Sequence, residues 1–349
     1  MQKVLIYIEN GPIFHAKTNT KNDFITYGEL VFTTSMTGYQ ETITDPSFAS
    51  QIIVMSSPLI GNYGTNIDWN ECDKIHAKGM IVHNYSGMDS ENSFQSMLDG
   101  QNITLIHSID TRNLIQFTRH MFYPKCVIST KELNENEINK HLQMINPNVV
   151  HQISTKKCMH IKGSKDNNKK IGIIDFGCKK SIAKELERYF SEIVIMPYDS
   201  NIDDIKNLEL HCVLLSNGPG NPDILYDVIE NIKNMLGKVD VFGICLGHQL
   251  LGLALNCQTA IMKFGHRGVN HPVMNMQNEK VIITSQNHGY EILENSLSDD
   301  IRVTHRNLHD NTIEGIESMK HRAKSVQFHP EASPGPRDAN VIFDEWFGG

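Results

Sequence analysis

The sequence has no apolar run long enough to span a bilayer, no C-x-x-C pair, no G-x-x-x-x-G-K-[ST] phosphate loop and no excess of positive charge. Each absence removes a class of function. A membrane helix needs about 20 consecutive apolar residues, so no membrane role is expected. The N-terminus MQKVLIYIEN carries Glu9 and lacks a small-residue cleavage site, so it reads as a first strand rather than a signal peptide, and the expected compartment is the cytoplasm. Seven cysteines, an odd number without regular spacing, fit a reducing compartment and no disulfide framework. Seventeen histidines are many, but they are scattered without helical or finger spacing, and no metal is expected. A net charge of −8 argues against a nucleic-acid partner. Without a phosphate loop or an ATP-grasp pattern, any nucleotide chemistry belongs to another chain.

What is present is enough for more than one core, with 40% hydrophobic residues over 349 positions. Residues 1–153 read as a smaller, strand-rich α/β domain, with β-prone runs from Val4 to Ile8, Gly28 to Thr34, Gln51 to Met55 and Gly79 to Val82. Hydroxyl-rich loops lie at Thr33 to Ser47 and Pro58 to Thr65, and they suit either plain connections or ligand contacts. Ile109 to Phe117 opens on an Asp/Thr cap and reads as a short surface helix. Residues 154–170, STKKCMHIKGSKDNNKK, are lysine-rich and aperiodic, as expected of a linker. From residue 171 to 349, buried strands alternate with helical stretches such as Lys179 to Phe190 and Asp227 to Leu236. That alternation implies an α/β domain with a doubly wound, mostly parallel sheet, whose ligands bind beyond the strand C-termini.

Four motifs carry chemistry. Val239 to Ile244 is a β-prone run, and Leu250 to Leu255 suits a buried helix, so Cys245 sits on a strand-to-helix turn between Gly243 and Gly247. A thiol at a helix N-terminus is favoured as thiolate. Taken alone, the spacing also fits a buried structural cysteine. SNGPGNP, with Gly218 and Gly220, can lie against a substrate and present backbone N–H groups, or be a tight turn. TSQNHGY, ending at Tyr290, offers amide groups at a strand end, or forms a hairpin turn. In QFHPEASPGP, His329 and Glu331 stand two apart, so an extended backbone puts both on one side and lets Glu331 orient His329; the same tripeptide also suits a surface turn.

Together GICLGHQ, SNGPGNP, QNHGY and QFHPEASPGP resemble the class I, triad-type glutamine amidotransferases over about residues 170 to 347. The first half extends the likeness. TTSMTGYQETITDPSF, PLIGNYG and SIDTR resemble the N-terminal domain of the carbamoyl-phosphate synthetase small-subunit family. The resemblance implies a glutaminase in which Cys245 is the nucleophile, His329 the acid–base and Glu331 its orienter. It also implies glutamine binding by Ser47, Gly218, Gly220, Leu246, Gln249, Asn287, Gly289 and Tyr290, with the amides of Leu246 and Gly220 as oxyanion donors. No cofactor is implied for this chain. ATP, magnesium and bicarbonate would be used by a large subunit, joined in a heterodimer or larger assembly, which receives the ammonia. The amidotransferase subunit of another synthetase, or a non-catalytic glutamine-binding regulatory subunit, are the alternatives. Tyr290 departs from the phenylalanine expected there, Asn221 from an aspartate, and His83 to Met97 matches poorly.

Overall fold

The computed structural model describes residues 1–87, 93–146 and 148–348, so part of the divergent stretch from His83 to Met97 lies outside the described residues. The chain divides into two compact units, Met1–Val149 and the remainder from Val150.

In the first unit, seven strands close into a barrel in the order Gln2–Ile8, Ile13–Thr18, Thr104–His107, Gly79–Ile81, Gln51–Met55, Ile25–Thr33 and Lys125–Ser129. Period-2 alternation explains how these strands serve two cores at once. Val4, Ile6, Ile52, Val54, Cys126 and Ile128 belong to one buried cluster. Ile53, Met55, Met80 and Leu105 belong to a second, which also takes Tyr39 and Ile43 of the helix Tyr39–Thr44 and Phe94 and Leu98 of the helix Phe94–Gly100. The helix expected after Ile109 is Thr111–Thr118, and the Asp110 carboxylate accepts the Asn113 amide at 3.0 Å as its cap.

The second unit is built on a ten-stranded sheet. At its centre Glu192–Met196, Lys170–Ile174, Cys212–Leu215, Asp240–Ile244 and Ala323–Val326 run parallel in that spatial order. One antiparallel strand lies outside Glu192–Met196, and four more, Ile313–Ser318, Arg302–Asn307, Thr259–Asn275 and Val281–Ile292, continue the other edge. Helices cover both faces. Val228, Ile232, Leu250 and Leu251 pack with Val213 and Leu215 on one side, and Ile182, Leu186, Ile342 and Phe343 with Cys212 and Leu214 on the other. The doubly wound α/β fold expected from the sequence is therefore present.

Residues 154–170 are more than a linker. Met159–Lys162 pairs antiparallel with Glu192–Met196 as an edge strand, and the unit boundary falls before Val150 rather than after residue 153. An edge strand needs only one paired side, so this mostly exposed, lysine-flanked segment shows none of the burial pattern by which strands are read.

The strand Asp240–Ile244 meets the helix Leu246–Ala254 almost without spacing. A Cβ on Gly243 would lie 2.7 Å from the Gly247 carbonyl oxygen, and one on Gly247 would collide with the carbonyl of Leu215 on the neighbouring strand. Gly247→Ala is expected to cost ~1–3 kcal/mol through overpacking, seen as a lower denaturant midpoint. An unchanged midpoint would contradict the close packing described.

Candidate active site

Cys245 holds the turn between that strand and helix with φ 55° and ψ −105°. An L-residue pays roughly 1–3 kcal/mol for such a conformation, and the surrounding hydrogen bonds over-determine it. The Cys245 amide donates to Val326 O at 3.0 Å, and its carbonyl accepts from His248 N at 3.1 Å and Gln249 N at 3.2 Å. The next turn is anchored by Gly247 N donating to Ser216 O at 3.0 Å. The sulfur is thereby fixed at the C-terminal end of a parallel strand and at a helix N-terminus. Its thiol donates to Asn287 O at 3.5 Å.

His329 and Glu331 follow the strand Ala323–Val326; His329 makes an isolated antiparallel bridge with Ser285, and the chain then turns at Pro330 and Glu331 instead of running on extended. Ala332 N donates to His329 O at 3.1 Å, which places Pro330 and Glu331 at the two central positions. Proline's fixed φ suits the first of these positions, so Pro330 shapes a turn and does not extend a strand. The pairing still forms: His329 Nδ1 donates to Glu331 Oε1 at 2.7 Å, both side chains being buried. The ring is anchored by His329 N donating to Ser285 O at 2.9 Å. Nε2 is buried, makes no hydrogen bond of good geometry, and is the nitrogen left for Cys245. Burial pulls the imidazole's pKa down, but the charges of Glu331 and then Cys245 outweigh it and raise it above the ordinary histidine value.

A third charged group escaped sequence reasoning. Lys179 is buried, and its Nζ donates to Glu331 Oε1 at 2.8 Å and to Ala332 O at 2.6 Å. Its backbone amide donates to Asn217 Oδ1 at 3.1 Å, while Asp175 Oδ1 accepts from Gly177 N and Cys178 N to shape the preceding turn. Burial raises the pKa of Glu331, but Lys179 and then His329 hold it well below the usual carboxylate range. The only sequence signal was position, since Lys179 follows the end of a parallel strand as Cys245 does. Nothing in a Lys-Lys pair separates the buried Lys179 from the exposed Lys180.

The residues expected around glutamine are partly gathered here. Gly218 packs so closely on Phe176 and Leu246 that a Cβ would collide with both, and Gly220 takes φ 97°. Gln249 Nε2 donates to Tyr290 O at 3.2 Å and to Gln327 Oε1 at 3.0 Å. Asn287, Gly289 and Tyr290 lie inside one continuous strand, Val281–Ile292, and not at a strand end or hairpin turn. Pairing with Thr259–Asn275 on one side carries the strand through the glycine and polar residues that suggested a turn. His288, between Asn287 and Gly289, joins His266 and Glu314 in a buried group of metal-type donors. Ser47 belongs to the first unit, in the short turn Pro46–Phe48, where its amide donates to Asp45 Oδ1 at 2.8 Å.

Comparison with known proteins fits both halves. Residues 172–348 match the glutamine amidotransferase class-I family, and residues 6–128 match the carbamoyl-phosphate synthase small chain, CPSase domain. The carbamoyl phosphate synthase small chain of Clostridium acetobutylicum is 42% identical over 351 residues, covering 99% of each chain. The chain belongs to the carbamoyl phosphate synthase small-chain family. Another family member, from Caldanaerobacter subterraneus subsp. tengcongensis, is 44% identical over 99% of this chain and 95% of its own. A pyrimidine-specific small chain from Halalkalibacterium halodurans is 41% identical, covering 99% and 96%. Among the described residues, no helix is long and apolar enough to cross a membrane.

Lys179→Met tests the buried charge chain. Removing one partner of a buried pair is expected to cost ~3–5 kcal/mol at neutral pH. A carboxylate with a depressed folded pKa stabilises the fold above its unfolded value of about 4.3 and loses that contribution as pH falls through the folded value. The deficit of the variant should therefore shrink as pH falls from ~4 towards the folded wild-type value of about 2, where Glu331 becomes protonated in both proteins. Urea unfolding across pH reads this directly, and equal stability at neutral pH would contradict it.

Proposed function

We propose that the chain is the glutamine-hydrolysing subunit of a carbamoyl phosphate synthase. The observation that carries this reading is the arrangement of His329, oriented by buried Glu331, with Nε2 left for a cysteine held on a strained strand-to-helix turn. That arrangement, in a member of this family, supports nucleophilic rather than structural use of Cys245.

In this reading Cys245 Sγ attacks the side-chain amide carbon of glutamine while His329 Nε2 accepts the thiol proton. The proton then passes to the departing nitrogen, the C–N bond breaks, and ammonia leaves a thioester behind. Water, deprotonated by His329, attacks the thioester, and glutamate departs as Cys245 is regenerated. The amides of Leu246, at the start of its helix, and Gly220 would stabilise the tetrahedral oxyanion, a contribution of ~3 kcal/mol per donor. Gly218, Gln249, Asn287, Gly289 and Tyr290 would shape the glutamine pocket.

Free ammonia is protonated near neutral pH and loses its nucleophilicity, so it must be handed on without release. We assign the recipient as the large subunit, in a heterodimer or a larger assembly in the cytoplasm. There ATP, magnesium and bicarbonate would be consumed, while hydrolysis in this chain would need no cofactor. The small-chain match at residues 6–128 favours this partner over that of another synthetase. The complete set of Cys245, His329 and Glu331 disfavours a purely regulatory subunit.

Glutamate release by the purified chain, alone and with a cognate large subunit plus ATP, magnesium and bicarbonate, tests the assignment. Stimulation in step with carbamoyl phosphate formation is expected; turnover that never couples would remove the synthetase partner. Cys245→Ser should abolish glutamine-dependent synthesis but leave synthesis from added ammonia, and loss of both would indicate a structural cysteine. Glu331→Gln should lower kcat by ~10²-fold or more with little change in KM. Unchanged turnover would take Glu331 out of the mechanism.

A further inference from the structure

Away from the sulfur, three strands bring imidazole and carboxylate groups together. His266 on Thr259–Asn275, His288 on Val281–Ile292 and Glu314 on Ile313–Ser318 are all buried, and one donor atom from each lies within 4.8 Å of the others. The expectation of no metal rested on local histidine spacing, and these residues are spread across three strands of the sheet.

The hydrogen bonds around the group orient it towards a cation. His266 Nε2 donates to Asp310 Oδ2 at 2.9 Å, which leaves Nδ1 as an acceptor, 3.3 Å from Glu314 Oε1 and 3.3 Å from Asn307 Nδ2, which also donates to Glu314. His288 Nδ1 lies 2.8 Å from the Tyr290 carbonyl oxygen, and Nε2 lies 2.9 Å from Gln286 Oε1. Both neighbours of the His288 ring are thus oxygen acceptors. A neutral imidazole would have one N–H for these two acceptors, leaving one of the contacts without a proton. Reversing the Gln286 amide does not cure this, because Gln286 Nε2 donates to Glu314 Oε2 at 3.0 Å. With Tyr290 O taking the N–H, His288 Nε2 and Gln286 Oε1 are two lone pairs facing each other. Metal-bound histidines show the same pattern, with the far nitrogen donating to a carboxylate or backbone carbonyl. Among the described residues the Glu314 carboxylate, fully buried, otherwise receives only neutral amides, Asn307 Nδ2 at 2.8 Å and Gln286, besides the long contact to His266.

We propose that His266 Nδ1, His288 Nε2 and a Glu314 oxygen form a site for a divalent transition-metal ion of the zinc type, with Gln286 Oε1 or water as the fourth ligand. Two imidazoles and a carboxylate suit zinc and its neighbours, while magnesium and calcium require oxygen sets. Donors bound to one tetrahedral ion at ~2.1 Å stand about 3.4 Å apart, so His266 Nδ1 and Glu314 Oε1 at 3.3 Å already match and only the wider separations, within 4.8 Å, close on binding. The ion would fasten the edge strand that carries Asn287, Gly289 and Tyr290 to its neighbours. The competing arrangement is an imidazolium at His266 held by Asp310 and Glu314 without metal.

This site does not depend on the glutaminase reading, and its test reads metal rather than turnover. The full chain, stripped by chelator and dialysed, is titrated with cobalt(II) or zinc, following visible absorption and bound metal by mass spectrometry. The expected result is a single equivalent per chain, with cobalt d–d bands and no thiolate charge-transfer band. Asp310→Asn leaves all three ligands in place and should weaken binding ~10–100-fold with an unchanged circular dichroism spectrum; Glu314→Gln should abolish it. If Glu314→Gln does not fold, Asp310→Asn decides. A folded wild-type chain that takes up neither metal, a thiolate band, or undiminished affinity in Asp310→Asn would overturn the proposal.

Discussion

The site depends on keeping one carboxylate ionised where water does not reach it. Glu331 is buried beside His329, and an isolated charge there would cost several kcal/mol or be neutralised by protonation. Lys179 prevents this. Its ammonium reaches across from the turn after Lys170–Ile174 to the turn after Ala323–Val326, and its backbone is tied in turn to Asn217 after Cys212–Leu215. Three strand ends are therefore linked through one lysine, two of them by its ammonium and the third by its backbone amide. The charge that orients the imidazole also fixes the loops that carry it.

A second constraint is the geometry of Cys245. Its left-handed backbone is held by hydrogen bonds on both sides and by glycines too close to their neighbours to carry a side chain. Such strain persists only where the surroundings leave no alternative. Position and reactivity then share a cause, since the turn that sets the sulfur at the strand end also starts a helix whose N-terminal dipole favours negative charge. The antiparallel extension of the sheet adds the other wall, because the strand Val281–Ile292 supplies both the carbonyl that receives the thiol and the segment beside His329.

Much of this was legible from residue pattern. Alternating apolar strands and helices give the doubly wound unit, the G-x-C-x-G spacing places the elbow, and the short range between His329 and Glu331 allowed their pairing to be anticipated. What was hidden depends on non-local contact. Lys179 looks like its exposed neighbour Lys180 until the partner 152 residues away is known. Met159–Lys162 has the composition of a linker and becomes a strand because an edge was free. The segment Gln286 to Tyr290 carries turn-forming residues, yet pairing along its length keeps it extended. His266, His288 and Glu314 are too far apart in sequence to register as a set. Barrel closure in the first unit likewise rests on pairings between distant strands, such as Gln2–Ile8 with Lys125–Ser129.

The central claim is that the fold activates one cysteine of seven, although it is buried. The most direct measurement is alkylation of the intact chain at neutral pH by a glutamine-shaped electrophile, with each cysteine followed by mass spectrometry. The account predicts that Cys245 reacts well ahead of the exposed Cys158, and that glutamine slows its labelling alone. Reaction at Cys158 ahead of Cys245, or labelling of Cys245 that glutamine does not affect, would contradict it.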